Sequence, residues 1–284
     1  MKAKYIDNMG DDLSVVNAAK VSFGKRSKLV CVRGCKGPNV PCTKECADKM
    51  ALSKQDQGLI QFLARGCTSG DWDKLSDVVK GDWSEGKPET VELIESTLNH
   101  IRKMPAHWSP FAHTAITLHL KMPIFVARQI MKHTTGIEYN EISRRYVDSD
   151  PEFYVPDVWR KKADNVKQGS SDESVVEELF PEQENPNLWS YMLSPEEAYK
   201  MHVRSSEELY SMMIANGVAP EQARVILPQS MYTEVIATGN LYAWANMYNQ
   251  RTDSHAQKET QDLAKQIGDI VKPLYPVSWE ALTK

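Results

Sequence analysis

Residues 116–123 read Ile-Thr-Leu-His-Leu-Lys-Met-Pro, and apolar side chains alternate strictly with polar ones as far as Met122. A period of two is typical of a strand that buries one face. Pro123 then predicts the first position of a helix, because its fixed φ suits that position and its missing N–H is not needed there. The stretch therefore predicts a half-buried strand that leads directly into a helix.

Helix-forming patterns lie on both sides of this strand. Asp11 is a good N-cap for one helix, and Ser194 opens a capping box with Glu197 for another that stops near Gly217. The predicted helices cover residues 13–20, 59–64, 88–104, 194–217, 221–227, 232–249 and 256–271. Together these elements predict a helix-rich α+β fold with a small antiparallel or mixed sheet.

The composition narrows the class of protein. The 284 residues carry a net charge of −4, so no bulk positive field exists to attract nucleic acid. No apolar run approaches the ~20 residues that span a bilayer, and no secretory signal opens the chain, so we expect a cytoplasmic protein without a membrane partner. We expect one domain over residues 1–284, with a cysteine-bearing insertion at about 25–50 and polar insertions at about 66–88 and 161–187.

Four of the five cysteines are clustered, at Cys31, Cys35, Cys42 and Cys46. Four thiolates at this separation can close a tetrahedral zinc site or hold an iron–sulfur cluster. Both pairs have the spacing C-x3-C rather than the commoner C-x2-C, which weakens the metal interpretation. The sequence leaves two possibilities open: the four cysteines bind a zinc ion, or they lie in a loop and bind no ligand.

No glycine-rich phosphate loop of either standard kind occurs, so a nucleotide must be held by side chains. Arg128 and Lys132 are i,i+4 neighbours if the helix after Pro123 continues. Ser143 and Arg145 project to the same side if their backbone is extended, and an Arg fork suits bidentate phosphate contact. An ordinary solvated run of charges is the alternative interpretation.

Several separate motifs resemble flavin-dependent thymidylate synthases (ThyX). The resemblance is carried by residues 105–113, Pro-Ala-His-Trp-Ser-Pro-Phe-Ala-His, by residues 140–146, Asn-Glu-Ile-Ser-Arg-Arg-Tyr, and by residues 251–257, Arg-Thr-Asp-Ser-His-Ala-Gln. Residues 12–23, 223–228 and 240–246 also fit, and the motifs agree in order. The resemblance covers most of the chain outside the insertions.

The resemblance implies an α+β homotetramer whose active sites draw on more than one chain. Its implied reaction is the reductive methylation of dUMP to dTMP. Methylenetetrahydrofolate would supply the carbon, NADPH would reduce the bound FAD, and the flavin would carry the redox chemistry. No nucleic acid partner is implied.

Carried across position by position, the resemblance also assigns site residues. Arg251 would stabilise negative charge on the pyrimidine, and with Ser143 it forms the implied catalytic pair. The implied dUMP ligands are Gln129, Ser143, Arg145, Arg224 and Arg251. The implied FAD ligands are Ser22, His107, Ser109, Lys132, His133, Thr134, Glu141, Asn240 and Asn246.

Two departures from the family pattern motivate a second hypothesis. Residues 132–134 read Lys-His-Thr where the family has Arg-His-Arg, and Tyr242 stands where an Arg is common. These changes remove guanidinium forks that hold phosphate in a bidentate way. The second hypothesis is that the chain methylates or hydroxymethylates another pyrimidine nucleotide, such as dCMP. A hypothesis of another class is a non-catalytic nucleotide-binding or zinc-organised interaction module.

Overall fold

The structure is a computed structural model of the chain, and it describes residues 1–32, 50–65, 107–147, 149–164, 169–175 and 193–283. It divides into two compact units. The first unit comprises Met1–Ile6, Thr117–Thr238 and Met247–Gly268, and the second comprises Asp7–Ile116, Gly239–Asn246 and Asp269–Lys284. That residues 1–284 fold as a single domain stays a prediction.

Helical residues outnumber strand residues in the described part of the chain, and both kinds of element are present, which confirms the α+β prediction. The strands are β1 (Lys2–Met9), β2 (Val30–Cys31), β3 (Met50–Ala51), β4 (Ala115–Pro123), β5 (Ile137–Glu141), β6 (Arg160–Lys162), β7 (Ser170–Ser174) and β8 (Tyr232–Gly239). The α-helices are α1 (Asp12–Lys20), α2 (Lys54–Arg65), α3 (Ile124–Ile130), α4 (Pro195–Ala215), α5 (Pro220–Ala223), α6 (Leu241–Arg251), α7 (Lys258–Val271) and α8 (Pro276–Leu282). Four strands form one sheet in the order β1-β4-β8-β5, while β2 pairs with β3 and β6 with β7, both antiparallel.

Strand β4 has the two faces that its sequence predicts. The side chains of Ile116, Leu118, Leu120 and Met122 are completely buried. On the other face, His119 Nε2 lies 2.8 Å from the Glu234 carboxylate on β8. Burial of each large aliphatic side chain contributes roughly 1.5–3 kcal/mol. Burial of the apolar face therefore makes the largest contribution to holding this strand in place.

The prediction for residues 232–249 is wrong in its first half, because residues 232–239 form strand β8 instead of a helix. Thr233, Val235 and Ala237 are buried and alternate with more exposed neighbours. β-branched side chains favour such a pleated, half-buried position. Helix α6 begins only at Leu241. The side chain of the preceding residue, Asn240, caps it by accepting a hydrogen bond of 2.9 Å from the Ala243 N–H.

Pro123 also differs from its prediction, because it is the residue before helix α3 and not its first residue. Its ψ of 153° is extended, and it ends strand β4. Ile124, the first helical residue, donates its N–H to the Met231 carbonyl at 3.0 Å. The proline therefore joins the two elements but belongs to the strand.

The other described helices agree with their predictions, apart from their bounds. Asp11 caps α1, and the capping box of Ser194 and Glu197 opens α4, after which Gly217 adopts a φ of +82°. Residues 221–227 form only the short helix α5 and a 3₁₀ turn.

Two elements at the ends of the chain were not predicted from the sequence. Strand β1 gives no alternating pattern because most of its side chains are exposed, and helix α8 was also missed. The predicted helix at 88–104 and the insertion at 66–88 lie outside the described residues.

The predicted excursion at 161–187 is described only in part. Its described residues contain most of the β6–β7 hairpin, whose strand side chains are largely exposed.

Among the described helices, none is long and apolar enough to cross a bilayer.

Candidate functional site

A polar cavity of about 490 Å³ lies in the first unit. It is lined by residues from α3, β6, β7 and the segment around the start of α7. The side chains that carry its chemistry are Gln129, Arg160, Ser170, Arg251, His255 and Gln257. Two arginines, two amides and an imidazole make this cavity rich in hydrogen-bond donors, which suits a ligand with several oxygen acceptors.

Arg251, the last residue of α6, is held in place by two hydrogen bonds. Its Nε donates to His133 Nε2 at 2.9 Å, and its Nη2 donates to the Gln129 carbonyl at 3.0 Å. The side chain is half-buried. These contacts use only part of the five-donor guanidinium fork, so N–H groups remain for a ligand in the cavity.

The contact with Arg251 requires a neutral His133, because only an unprotonated Nε2 can accept a hydrogen bond. Burial, followed by the positive charge of Arg251, lowers the pKa of His133 and so favours this form. Tyr139 fixes the turn that carries His133, since its hydroxyl donates to the carbonyls of Ile130 and His133, each at 3.1 Å. Burial raises the pKa of Tyr139.

Amide groups form another side of the cavity. Gln129 Nε2 donates to Gln257 Oε1 at 2.6 Å, which joins α3 to the segment before α7. Nearby in sequence, the Asp253 carboxylate accepts from the backbone N–H of His255 and lies 2.8 Å from its Nδ1. These contacts lower the pKa of Asp253 and orient the His255 ring.

The sequence analysis missed Arg160 and Ser170 in this cavity. Arg160 Nη2 lies 2.6 Å from the buried Glu259 carboxylate, and its Nε donates to Ser170 Oγ at 2.7 Å. Arg160 directly precedes the stretch 161–187 that is predicted to be a surface excursion, and Ser170 lies inside that stretch. A lysine- and serine-bearing stretch gives no periodic signal, so only the hairpin pairing reveals that it contributes to a cavity.

The implied dUMP ligands fall into separate places within the first unit. Gln129 and Arg251 meet at the cavity. Ser143 and Arg145 share a turn in which the Tyr146 N–H donates to the Ser143 carbonyl at 3.0 Å, so the extended backbone that would project both side chains to the same side is not present. Arg145 is exposed and lies 5.1 Å from the Tyr146 ring centroid. Arg224 is exposed on its 3₁₀ turn, and neither it nor the Ser143 turn lines the cavity.

The pairing predicted for Arg128 and Lys132 is also wrong, because helix α3 ends at Ile130. The turn that follows passes through Gly136, whose φ is +79°. Lys132 and Thr134 are exposed on this turn, and Glu141 on β5 accepts a hydrogen bond of 2.6 Å from Thr233. The structure thus brings His133, but not Lys132 or Thr134, to Arg251.

The remaining implied FAD ligands belong to the second unit: Ser22, His107, Ser109, Asn240 and Asn246. Ser22 is exposed on a 3₁₀ turn, and the exposed His107 and Ser109 flank Trp108, whose ring lies 6.1 Å from that of Tyr242. Hydroxyl, imidazole and amide groups suit the phosphate, ribose and ring edges of FAD, and the Trp108–Tyr242 pair offers aromatic surface. The residues present therefore fit a flavin nucleotide.

The metal prediction stays open. Cys31 is half-buried on β2, while Cys35, Cys42 and Cys46 lie outside the described residues. Across the ranges that the structure describes, no three potential metal ligands gather into one group.

Comparison with known proteins finds one consistent family. A family model described as thymidylate synthase complementing protein matches residues 4–277. A flavin-dependent thymidylate synthase of Thermosipho melanesiensis is 33% identical over 99% of this chain and 90% of its own length. One from Thermosipho africanus is 31% identical over 99% of this chain and 90% of its own length.

A solved structure shows the same fold. It is a UMP/dUMP methylase, PolB, from Streptomyces cacaoi bound with 5-Br dUMP. Its TM-score is 0.62 at 24% sequence identity, and the match covers 99% of this chain and 94% of that one.

Proposed function

We propose that this chain, which belongs to the thymidylate synthase complementing protein family, converts dUMP to dTMP by reductive methylation. The relatives compared above are flavin-dependent thymidylate synthases. Methylenetetrahydrofolate supplies the carbon, and NADPH supplies the reducing equivalents. The observation that carries the proposal is the Arg251 guanidinium, fixed at a donor-rich cavity by His133 and the Gln129 carbonyl.

Arg251 is the group best suited to activate the pyrimidine. Its remaining N–H groups donate to a uracil carbonyl, and they stabilise the negative charge that grows on that oxygen as the ring becomes nucleophilic. Because His133 and the Gln129 carbonyl already hold the guanidinium, little reorganisation is needed as the charge develops. The amides of Gln129 and Gln257 bind the polar edge of the base.

Ser143 and Arg145 are proposed to bind the phosphate of dUMP, together with Arg224. Their exposed turn does not line the cavity of its own chain. In a homotetramer, such a turn can complete a site on another subunit, which agrees with the shared active sites that the family resemblance implies. Arg145 supplies a fork for bidentate phosphate contact, and Ser143 supplies a hydroxyl.

The residues that would hold FAD are His133, Lys132, Thr134 and Glu141 in the first unit and the five second-unit ligands named above. The chemistry that FAD would supply there is the transfer of a hydride from NADPH to the carbon unit. The protein contributes the positions of the reactants and the neutral His133 beside Arg251.

Arg251 also favours a uracil over a cytosine nucleotide. A guanidinium only donates hydrogen bonds, so when it contacts ring position 4 it pairs with the O4 carbonyl of uracil but not with the exocyclic amino group of cytosine. Turnover of dUMP, UMP and dCMP should be compared by mass analysis of the products. We expect methylated dUMP and no product from dCMP, and turnover of dCMP alone would contradict this assignment.

The direct test measures tritium release from dUMP labelled at ring carbon 5, with FAD, methylenetetrahydrofolate and NADPH present. We expect release that depends on both co-substrates, and a decrease of roughly 10²–10³-fold in Arg251→Lys, as for the loss of one oriented donor. Arg204→Lys is the control, because Arg204 is exposed on α4 and its one ion pair within the described residues is with Glu208. A protein that cannot be loaded with FAD, or that releases no tritium, would overturn the proposal.

A further inference from the structure

The β6–β7 hairpin supplies one wall of the polar cavity. Arg160 on β6 and Ser170 on β7 both line it, and so does Gly169, which precedes β7. The family motifs cover none of these residues, because all three lie between the segments 140–146 and 223–228. The proposed function therefore leaves the polar groups of this wall without a role.

A short series of contacts joins the hairpin wall to the groups proposed to bind the base. Arg251 donates to the Gln129 carbonyl at 3.0 Å, and Gln129 Nε2 donates to Gln257 Oε1 at 2.6 Å. Two residues after Gln257, the Glu259 carboxylate pairs with Arg160 at 2.6 Å. The hairpin wall is therefore the neighbour of the wall that carries the two amides.

Both residues of the hairpin wall have donors left for a ligand. Arg160 uses Nη2 on Glu259 and Nε on Ser170 Oγ, whereas its Nη1 has no partner in the part of the chain that the structure describes. The Arg160 side chain is 22% exposed, and none of its nitrogens is both buried and unpaired, so Nη1 is accessible to a ligand. Ser170 is exposed, and because its oxygen accepts from Arg160, its own proton is free to donate.

The charge of this wall favours a neutral oxygen over an anion. The Glu259 side chain is only 7% exposed, and its carboxylate already balances the charge of the Arg160 guanidinium. A phosphate gains most from a guanidinium whose charge is not balanced, whereas a hydroxyl oxygen needs only oriented donors. The ion pair and the contact with Ser170 also fix both donors before a ligand enters, which reduces the entropy cost of binding.

We propose that Arg160 Nη1 and the Ser170 hydroxyl donate to the 3′-hydroxyl oxygen of dUMP. This proposal rests on the proposed function, which assigns the base to Arg251 and the two amides, and the phosphate to the turn of Ser143 and Arg145 from another subunit. The sugar is attached directly to the base, so it lies beside the wall that adjoins the amides. The 3′-hydroxyl is the only free hydroxyl group on the sugar of dUMP.

The contact makes the hairpin a determinant of substrate specificity. A nucleotide that lacks the 3′-hydroxyl leaves the donors of Arg160 and Ser170 without an acceptor, and a site built to bind a hydroxyl rejects such an analogue. The hairpin thus selects the sugar of the nucleotide, while Arg251 selects the base.

The test compares the binding of dUMP with that of 2′,3′-dideoxyuridine 5′-monophosphate, which differs from dUMP only in lacking the 3′-hydroxyl. Binding to the FAD-loaded protein is measured by isothermal titration calorimetry, and we expect the dideoxy nucleotide to bind at least about threefold more weakly. In Ser170→Ala the dissociation constant of dUMP should rise roughly three- to tenfold, and that of the dideoxy nucleotide by less than about twofold. Arg160→Lys keeps a positive charge beside Glu259 but removes the guanidinium, so it should show the same selective loss.

Two further variants serve as controls. Ser170→Thr keeps the hydroxyl and should bind dUMP as the unchanged protein does. Ser174→Ala is matched to Ser170→Ala, because Ser174 is exposed on the same strand and is not part of the cavity wall. It should bind both nucleotides as the unchanged protein does.

The inference is wrong if the unchanged protein binds the two nucleotides equally, or if Ser170→Ala or Arg160→Lys binds dUMP as tightly as the unchanged protein. It is also wrong if these variants weaken both nucleotides by the same factor, because the two side chains would then support the cavity without contacting the sugar. A failure of the unchanged FAD-loaded protein to bind dUMP at all would instead overturn the proposed function.

Discussion

His133 and Arg251 form a pair whose geometry depends on the position of one proton. His133 Nε2 can accept from Arg251 only while the ring is neutral, and the lowered pKa of His133 keeps it so. Acid that protonates His133 places two positive charges side by side and breaks the hydrogen bond. The arrangement of the proposed catalytic arginine is therefore linked to pH.

This linkage predicts a pH-dependent stability. The pKa of His133 lies below its ordinary value of 6.5 in the folded protein, so the unfolded chain binds the proton first as the pH falls. Stability is unaffected well above pH 6.5 and decreases below it, until the folded protein also takes up the proton. We expect the Tm to fall between about pH 6.5 and 5.5 by less in His133→Gln, whose amide oxygen still accepts from Arg251 but does not titrate.

Thermal unfolding of both proteins across this pH range checks the prediction, and the quantity compared is the difference between the two curves. All groups other than residue 133 are the same in both proteins, so their contributions cancel in that difference. Parallel curves for the two proteins would show that His133 is not protected from protonation.

Arg145 gives a prediction about substrate binding. Arg145→Ala removes the fork proposed to bind the phosphate, and a charge-assisted contact of this kind contributes about 1.5–3 kcal/mol. We expect the KM for dUMP to rise by roughly tenfold or more, with a smaller change in kcat. Steady-state kinetics on Arg145→Ala and on the control Arg204→Ala measure the effect, and an unchanged KM would contradict the phosphate assignment.

Helices α6 and α7 pack closely at one point, where Gly268 on α7 faces the ring of Tyr248. A Cβ atom at Gly268 would lie 2.4 Å from Tyr248 Cε2, which is far inside van der Waals contact. The glycine therefore sets the distance between these two helices. This spacing also positions Arg251, which ends α6 three residues after Tyr248.

Gly268→Ala should destabilise the protein by about 1–3 kcal/mol, as overpacking of a close contact does. Gly58→Ala is the matched control, because Gly58 lies in α2 and a Cβ there meets nothing within 4 Å. Alanine at that site should stabilise by about 0.5–1 kcal/mol, since glycine is a poor helix former. Urea unfolding of both variants measures the two free energies, and a Gly268→Ala protein as stable as the unchanged one would show that the helices separate freely.

Large apolar side chains stand exposed on the surface of the chain. Among them, Val21, Phe23, Tyr146 and Val225 are each more than 70% exposed. Exposed apolar side chains that lie next to one another, as Val21 and Phe23 do on one 3₁₀ turn, can form part of a surface that a partner covers. Tyr146 and Val225 neighbour Arg145 and Arg224, so the turns proposed to bind phosphate carry apolar side chains that suit an interface.

The family resemblance implies a homotetramer, and we predict a native mass four times that of the 32.2 kDa chain. Light scattering coupled to size-exclusion chromatography measures this mass directly. Val225→Asp should weaken the assembly and lower turnover together, because the proposed active site draws on more than one chain. A monomer with full activity would contradict both the assembly and the shared site.

The sequence by itself determined the elements with strong local signals. Strand β4 shows a strict period of two, and α1 and α4 carry capping residues beside their first turns, so local geometry sufficed for each. The family motifs also predicted Gln129 and Arg251 as site residues, and the structure places both at one cavity, while their roles stay predictions. The sequence shows which residues stand at these positions, but it does not show which residues they contact.

Only the tertiary structure decided the rest, because the deciding contacts join residues far apart in the chain. Residues 232–239 have an apolar content that fits a helix or a strand, and pairing in the sheet made them β8. Arg160 reached the cavity through its pairing with Glu259, 99 residues away, which no local pattern encodes. The contact between His133 and Arg251 likewise depends on where α3 ends and on how α6 lies against the turn that follows.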